Sequence, residues 1–282
     1  MTPFREVRAS RLADETGTLY KQADLVFALC YPSPYHVGMS SLGFQSIYRI
    51  LHGLPGCTAE RAFLPDDVAE IQRPSEELCT YESGRPVGDF PVVAFSLASE
   101  LELAGVVTCL DLAGIPALAA ERAAHARTFP LVMLGGPLTF SNPVPVGPFA
   151  DVIVMGEAEE LVPILVNSLR DQPDRESLLN ELARRPGFYI PSLHGETPPP
   201  VAIASDDCQR RLPSRLLANR HAAHRADEHV SHRGRAWVQP RLRLLRDAPV
   251  GGIGHASGGA RALALAHPGR GAASGTGGRG GH

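Results

Sequence analysis

Short apolar runs recur through the first two thirds of this chain, each closing on glycine, proline or a small polar cluster. They lie at 24–30, 91–97, 131–134 and 151–155, with a further strand-like run at 58–64. Runs this short, apolar at consecutive positions, belong to strands buried on both faces. Between them the spacing turns helical. Leu42, Ile47, Ile50 and Leu51 mark a helix over 42–52, closed by Gly53. Leu101, Leu103, Val106, Leu110 and Leu112 mark a second over 99–113, closed by Gly114. A third over 157–169 opens on acidic residues, which the positive end of a helix dipole favours. Strands alternating with helices predict a doubly wound, Rossmann-like α/β fold with a parallel sheet. Further on, 177–184 reads as a short helix, 188–191 as an edge strand, and Pro198-Pro199-Pro200 as a stiff linker. No internal repeat is present.

In an open parallel sheet, ligands bind beyond the carboxyl ends of the strands. The segments at those ends are Tyr31 to Gly38, Ser96 to Ser99, Gly135 to Asn142 and Gly156 to Glu159. Gly135-Gly136-Pro137 offers a backbone that a flat group could approach closely, and equally a tight turn. Gly156-Glu157-Ala158-Glu159-Glu160 reads as an acidic helix start, held ionised by the dipole and able to accept a hydrogen bond, or as a first turn that needs no ligand. Tyr35-His36-Val37-Gly38 is denser in polar and small residues than a connector requires. The candidate cofactor-binding residues are therefore Tyr35, His36, Ser96, Gly135, Gly136, Gly156 and Glu157, with a set of ordinary turns as the alternative. There is no G-x-G-x-x-G, no Walker loop and no G-x-S-x-G. His36 has no second ligand at zinc spacing. No catalytic and no metal-ligating residue is assigned.

Near Pro213 the character of the chain changes. Beyond it there is no Phe, Tyr or Lys, Ile253 is the only isoleucine, and the end is a glycine-rich stretch closing on His282. Such a segment cannot bury enough apolar surface to offset its ordering entropy, so 214–282 reads as disordered. Its Arg, Ala, Gly and Pro are also what a GC-rich gene spells in the wrong frame. Read one base later, the codons for Ala226 to Pro249 permit Gly-Cys-Ser-Arg-Gly-Cys-Asp-Tyr-Cys, a C-x-x-x-C-x-x-C motif. The glycine is forced, because tryptophan has one codon and Trp237-Val238 must yield GGG. Each cysteine codon, straddling Val238/Gln239, Leu242/Arg243 and Leu245/Arg246, is allowed alongside Phe, Ser or Tyr. The remaining alternative is a genuine basic arm for RNA or a protein partner.

Charge follows the same division: the first part is acidic and the tail rich in arginine, within a net charge of -3. An out-of-frame origin explains the arginines, so nucleic acid is not the expected partner. No run is apolar enough to span a membrane and Met1 to Glu6 lacks a signal-peptide core, so the expectation is a cytoplasmic protein without a membrane partner. Cys30, Cys57, Cys79, Cys109 and Cys208 are scattered, odd in number and form no C-x-x-C. They read as reduced thiols.

Three segments carry a family resemblance: Phe27 to Gln45, Leu134-Gly135-Gly136-Pro137, and Asp151 to Glu160 with its strand-Gly-Glu-x-Glu element. Over about 23–207 the chain resembles the N-terminal domain of a branch of radical S-adenosylmethionine proteins, a domain similar to cobalamin-binding domains. The resemblance implies a parent enzyme in which a 4Fe-4S cluster, held by three thiolates, reduces S-adenosylmethionine and the resulting radical abstracts hydrogen from a substrate. The cluster motif would follow shortly after such a domain, where the shifted frame puts it. Cobalamin domains that ligate through histidine carry D-x-H-x-x-G. Here Pro34-Tyr35 precede His36, so a bound cobalamin would lack that ligand. The organisation this implies is a lead-in over 1–22, a Rossmann-like, cobalamin-binding-like domain over 23–172, a linker over 173–213 leading to a radical SAM domain, and an out-of-frame tail over 214–282. The chain as written would then be the accessory domain of an enzyme whose catalytic domain it has lost, and would itself be inactive.

Overall fold

A computed structural model describes residues 4–66, 77–125, 128–172 and 174–202. The tail expected over 214–282 lies outside the described residues. After helix α1 (Phe4–Asp14) come strand β1 (Leu25–Pro34), helices α2 (Tyr35–Ser40) and α3 (Leu42–Gly53), and strand β2 (Cys57–Leu64). Strand β3 (Val92–Ser96) leads to α4 (Leu103–Leu112) and α5 (Ala119–Ala124). Strand β4 (Leu131–Gly135) is followed by α6 (Leu138–Ser141), and β5 (Val152–Val154) by α7 (Ala158–Asp171) and α8 (Arg175–Leu182). The series ends with β6 (Phe188–Tyr189) and α9 (Pro191–His194).

The six strands form one sheet in the order β2-β1-β3-β4-β5-β6. All pairings are parallel except β5 with β6. The predicted doubly wound α/β fold is therefore the observed one. Along β1 the side chains alternate between two cores. Ala28 and Cys30 join Val93, Phe95, Val132 and Leu134 beneath Val106 and Leu110 of α4. Phe27 and Leu29 join Val92 and Met133 beneath α3, α7 and α8. Consecutive apolar residues are what a strand covered on both faces needs.

One element differs from the sequence reading. β1 runs through Pro34, where a turn was expected from Tyr31. Its pairing with β3 stops at Cys30, while β2 stays alongside as far as Pro34. Pro32 and Pro34 thus sit where one edge is open, and a residue without an N–H costs no ladder bond there. The short helix expected over 177–184 is α8, and the edge strand expected over 188–191 is β6, paired antiparallel with β5.

The N-terminal segment is fixed by buried polar contacts. Arg61 of β2 is 2% exposed. Its guanidinium meets Glu15 at 2.7 Å and Glu82 at 2.6 Å. Tyr35 donates its hydroxyl to Glu15 at 2.7 Å. The Tyr48 hydroxyl accepts the Leu19 N–H at 3.1 Å. Burial works against the charge on Arg61, but Glu82 and Glu15 outweigh it and raise its pKa. At the amino end of the sheet, the Asp151 carboxylate accepts the Val132 N–H at 2.7 Å and pairs with Arg122 at 3.3 Å and Arg175 at 2.6 Å.

Candidate functional site

The carboxyl ends of β3, β4 and β5 and the first turns of α3 surround a cleft of about 320 Å³ between α3 and α7. The volume lies at the lower end of the range for small-molecule sites. Its floor is apolar, with Phe27, Leu29, Ala94 and Met133 from the strands, Ile47 and Leu51 from α3, and Val162 and Leu165 from α7. Its polar lining is formed by Ser41, Ser46, Ser96, Glu157 and Glu159, with Glu157 exposed at its edge. In the order β2-β1-β3-β4 the connections that leave β1 and β3 run to opposite sides of the sheet, and the opening lies beside that point, the usual crevice of doubly wound sheets.

Five of the seven predicted residues, Ser96, Gly135, Gly136, Gly156 and Glu157, line this one cleft. Tyr35 and His36 do not. Tyr35 is 1% exposed and packs against Phe63 and Tyr81 in the core under α2. His36 is exposed, with its ring edge-on to that of Tyr35. The reason is that α2 follows β1 directly and turns both side chains away from the α3–α7 crevice.

The glycines differ in what they serve. A Cβ on Gly136 would lie 2.4 Å from the Leu97 carbonyl oxygen, on backbone with φ +112°. The loop after β4 is laced there: Leu97 donates its N–H to Gly135 O at 2.7 Å, and Thr139 Oγ1 donates to Val154 O at 2.8 Å. A Cβ on Gly156 would meet Ala202 O at 2.6 Å. These two glycines are required by the fold's own close approaches. At Gly135 a Cβ would meet only Val154, at 3.7 Å.

Glu157 is the residue before α7 and takes no part in side-chain capping. The dipole argument predicts that it is held ionised. Partial desolvation raises its pKa, and the charges of Glu159 and Glu160 add to that, working against the dipole.

The wall from α3 was not anticipated. Ser41, Gly43 and Ser46 line it, with the Ser41 hydroxyl accepting the Phe44 N–H at 3.3 Å as the helix cap. Small residues at 41, 43 and 46 were visible as a run, but nothing in the spacing of 42–52 assigns that face to a cleft.

No group of three His, Cys, Asp or Glu among the described residues is placed to hold a metal ion. Cys30, Cys57, Cys79 and Cys109 lie on separate elements and are free. Burial raises all four thiols, that of Cys57 up to about 11. An iron–sulfur cluster needs several thiolates converging on one point, and these residues do not fit one. No helix among the described residues is long and apolar enough to cross a membrane.

A family model described as radical SAM proteins, N-terminal, matches residues 43–191, more than half of the chain. The match runs from the start of α3 to the start of α9 and includes every strand after β1. No curated protein and no solved structure matches.

Proposed function

From a chain that belongs to the radical SAM family through its N-terminal region, we propose a specific role. The domain is the ligand-binding accessory part of a radical S-adenosylmethionine enzyme, and the cleft between α3 and α7 holds its accessory ligand. The observation that carries this is convergence. Ser96, Gly135, Gly136, Gly156 and Glu157 stand at or just past the carboxyl ends of three different strands and border one opening. The chemistry of the parent family, reduction of the sulfonium by a 4Fe-4S cluster, would belong to a catalytic part that this chain does not encode in frame. Cobalamin is the accessory cofactor that the domain's resemblance brings into view. His36 stands outside the cleft, so a corrinoid here would bind without an imidazole from that position.

The separation of the two parts is read as a single-base change near the codons for Arg211 to Ser214. Its support is the coherent shifted reading, with the glycine forced at Trp237-Val238 and three cysteine codons allowed in order. Sequencing the gene decides it. The expected result is an open alternative frame with cysteine codons at the three junctions. A stop codon in that frame, or another residue at any of those junctions, would rule out the single-base change.

A further inference from the structure

The geometry points to a definite ligand chemistry for the cleft: a flat, apolar-bodied ligand that carries a hydrogen-bond donor or a positive charge at its edge and no terminal phosphate. This rests on the cleft being the domain's binding site, and goes further by saying what it selects.

The charge at the mouth is one-sided. Glu157 and Glu159 border it, and among the described residues lining the cleft there is no Arg, Lys or His. A phosphate monoester carries close to two negative charges at neutral pH, and here it would meet carboxylates with no cation to offset them. Doubly wound sheets ordinarily solve this with backbone N–H groups at the loop after β1 or at a helix start. Neither is suited to it here. The segment that follows β1, helix α2, lies outside the cleft and offers it no donor. The first turn of α7 is crowded with Glu157, Glu159 and Glu160. At the start of α3, the Phe44 N–H is taken by the Ser41 hydroxyl.

What remains favours the opposite class. The floor of Phe27, Leu29, Met133 and Leu165 suits a ring system. The volume of about 320 Å³ suits one of nucleoside size rather than a whole dinucleotide. Glu157 then accepts a hydrogen bond from a ring N–H or an amino group.

The test uses matched probes on the full chain. Riboflavin against FMN, and adenosine against AMP, differ by one phosphate each, with hydroxocobalamin as a separate arm. Binding is read by fluorescence or calorimetry, with a thermal shift to confirm that the chain is folded. In at least one pair the phosphate-free member is expected to bind about tenfold more tightly. That gap should narrow in Glu157→Gln/Glu159→Gln, whose fold should be unaffected because Glu157 is exposed and Glu159 partly so. Should FMN or AMP bind as well as its partner, the inference fails while the cleft stands. Binding of hydroxocobalamin alone, whose corrin ring is far larger than the nucleoside-sized ligand inferred, overturns the inference in the same way. If no probe binds to the folded chain, both the inference and the assignment of the cleft as a binding site fall.

Discussion

A methyl group added at Gly136 has nowhere to go. The Leu97 carbonyl lies 2.4 Å from where the Cβ would sit, and the φ of +112° is one that side chains rarely adopt. Gly135, one residue earlier, has ordinary backbone and only Val154 nearby, at 3.7 Å. Gly136→Ala should therefore destabilise the domain by roughly 1–3 kcal/mol, and Gly135→Ala should stay within about 0.5 kcal/mol of the parent. Urea denaturation of the two variants checks this, and equal losses would contradict it. The dipeptide was legible as a special turn, but which glycine served the fold was not, since the obstructing carbonyl belongs to the loop after another strand. The same limit applies at Tyr35 and His36. Their sequence places them after β1 with the rim residues, and only the helix α2 that follows turns them elsewhere.

At the scale of elements, the segment before β1 is held to the sheet by polar groups that no apolar pattern announces. Glu15 and Arg61 are far apart in sequence, and each looks like a surface residue until they pair at 2.7 Å. Removing one partner of a buried pair of this kind leaves the other charge stranded. The tyrosines of this cluster make a pH signature. Burial raises the pKa of Tyr35, and its hydrogen bond to Glu15 adds to the rise. Burial raises Tyr48 as well, with the Glu82 charge adding to it. In the unfolded chain both phenols ionise near pH 10. Below that pH both states are protonated and the stabilisation is complete. Above it the unfolded chain releases protons that the folded one retains, so stability falls as pH rises. Melting temperature should decline between about pH 9.5 and 11, and less steeply in Tyr35→Phe. An identical alkaline slope in that variant would mean that Tyr35 is not a source of the effect.

For the whole molecule, the architecture was legible and the pairing was not. Consecutive apolar residues at 91–97 and 131–134, alternating with helical stretches, read as central strands of a covered sheet, so the fold class followed from the pattern of burial. The order β2-β1-β3-β4-β5-β6 depends on how each connection crosses the sheet, which apolar periodicity does not encode. The cleft was half legible for the same reason: strand ends declare themselves in sequence, but the facing wall of α3 comes from packing. Cysteine chemistry bears on the molecule as a whole. The five cysteines lack cluster spacing, and the four within the described residues are free thiols on separate elements, with burial raising each. Thiolate formation is what iron binding requires, and here every described thiol resists it. The purified chain, reconstituted anaerobically with iron and sulfide, should hold no stoichiometric iron and should stay colourless after desalting. A four-iron cluster retained on the desalted protein would show that the chain as written assembles a ligand set of its own, and would remove the need for a shifted frame to supply one.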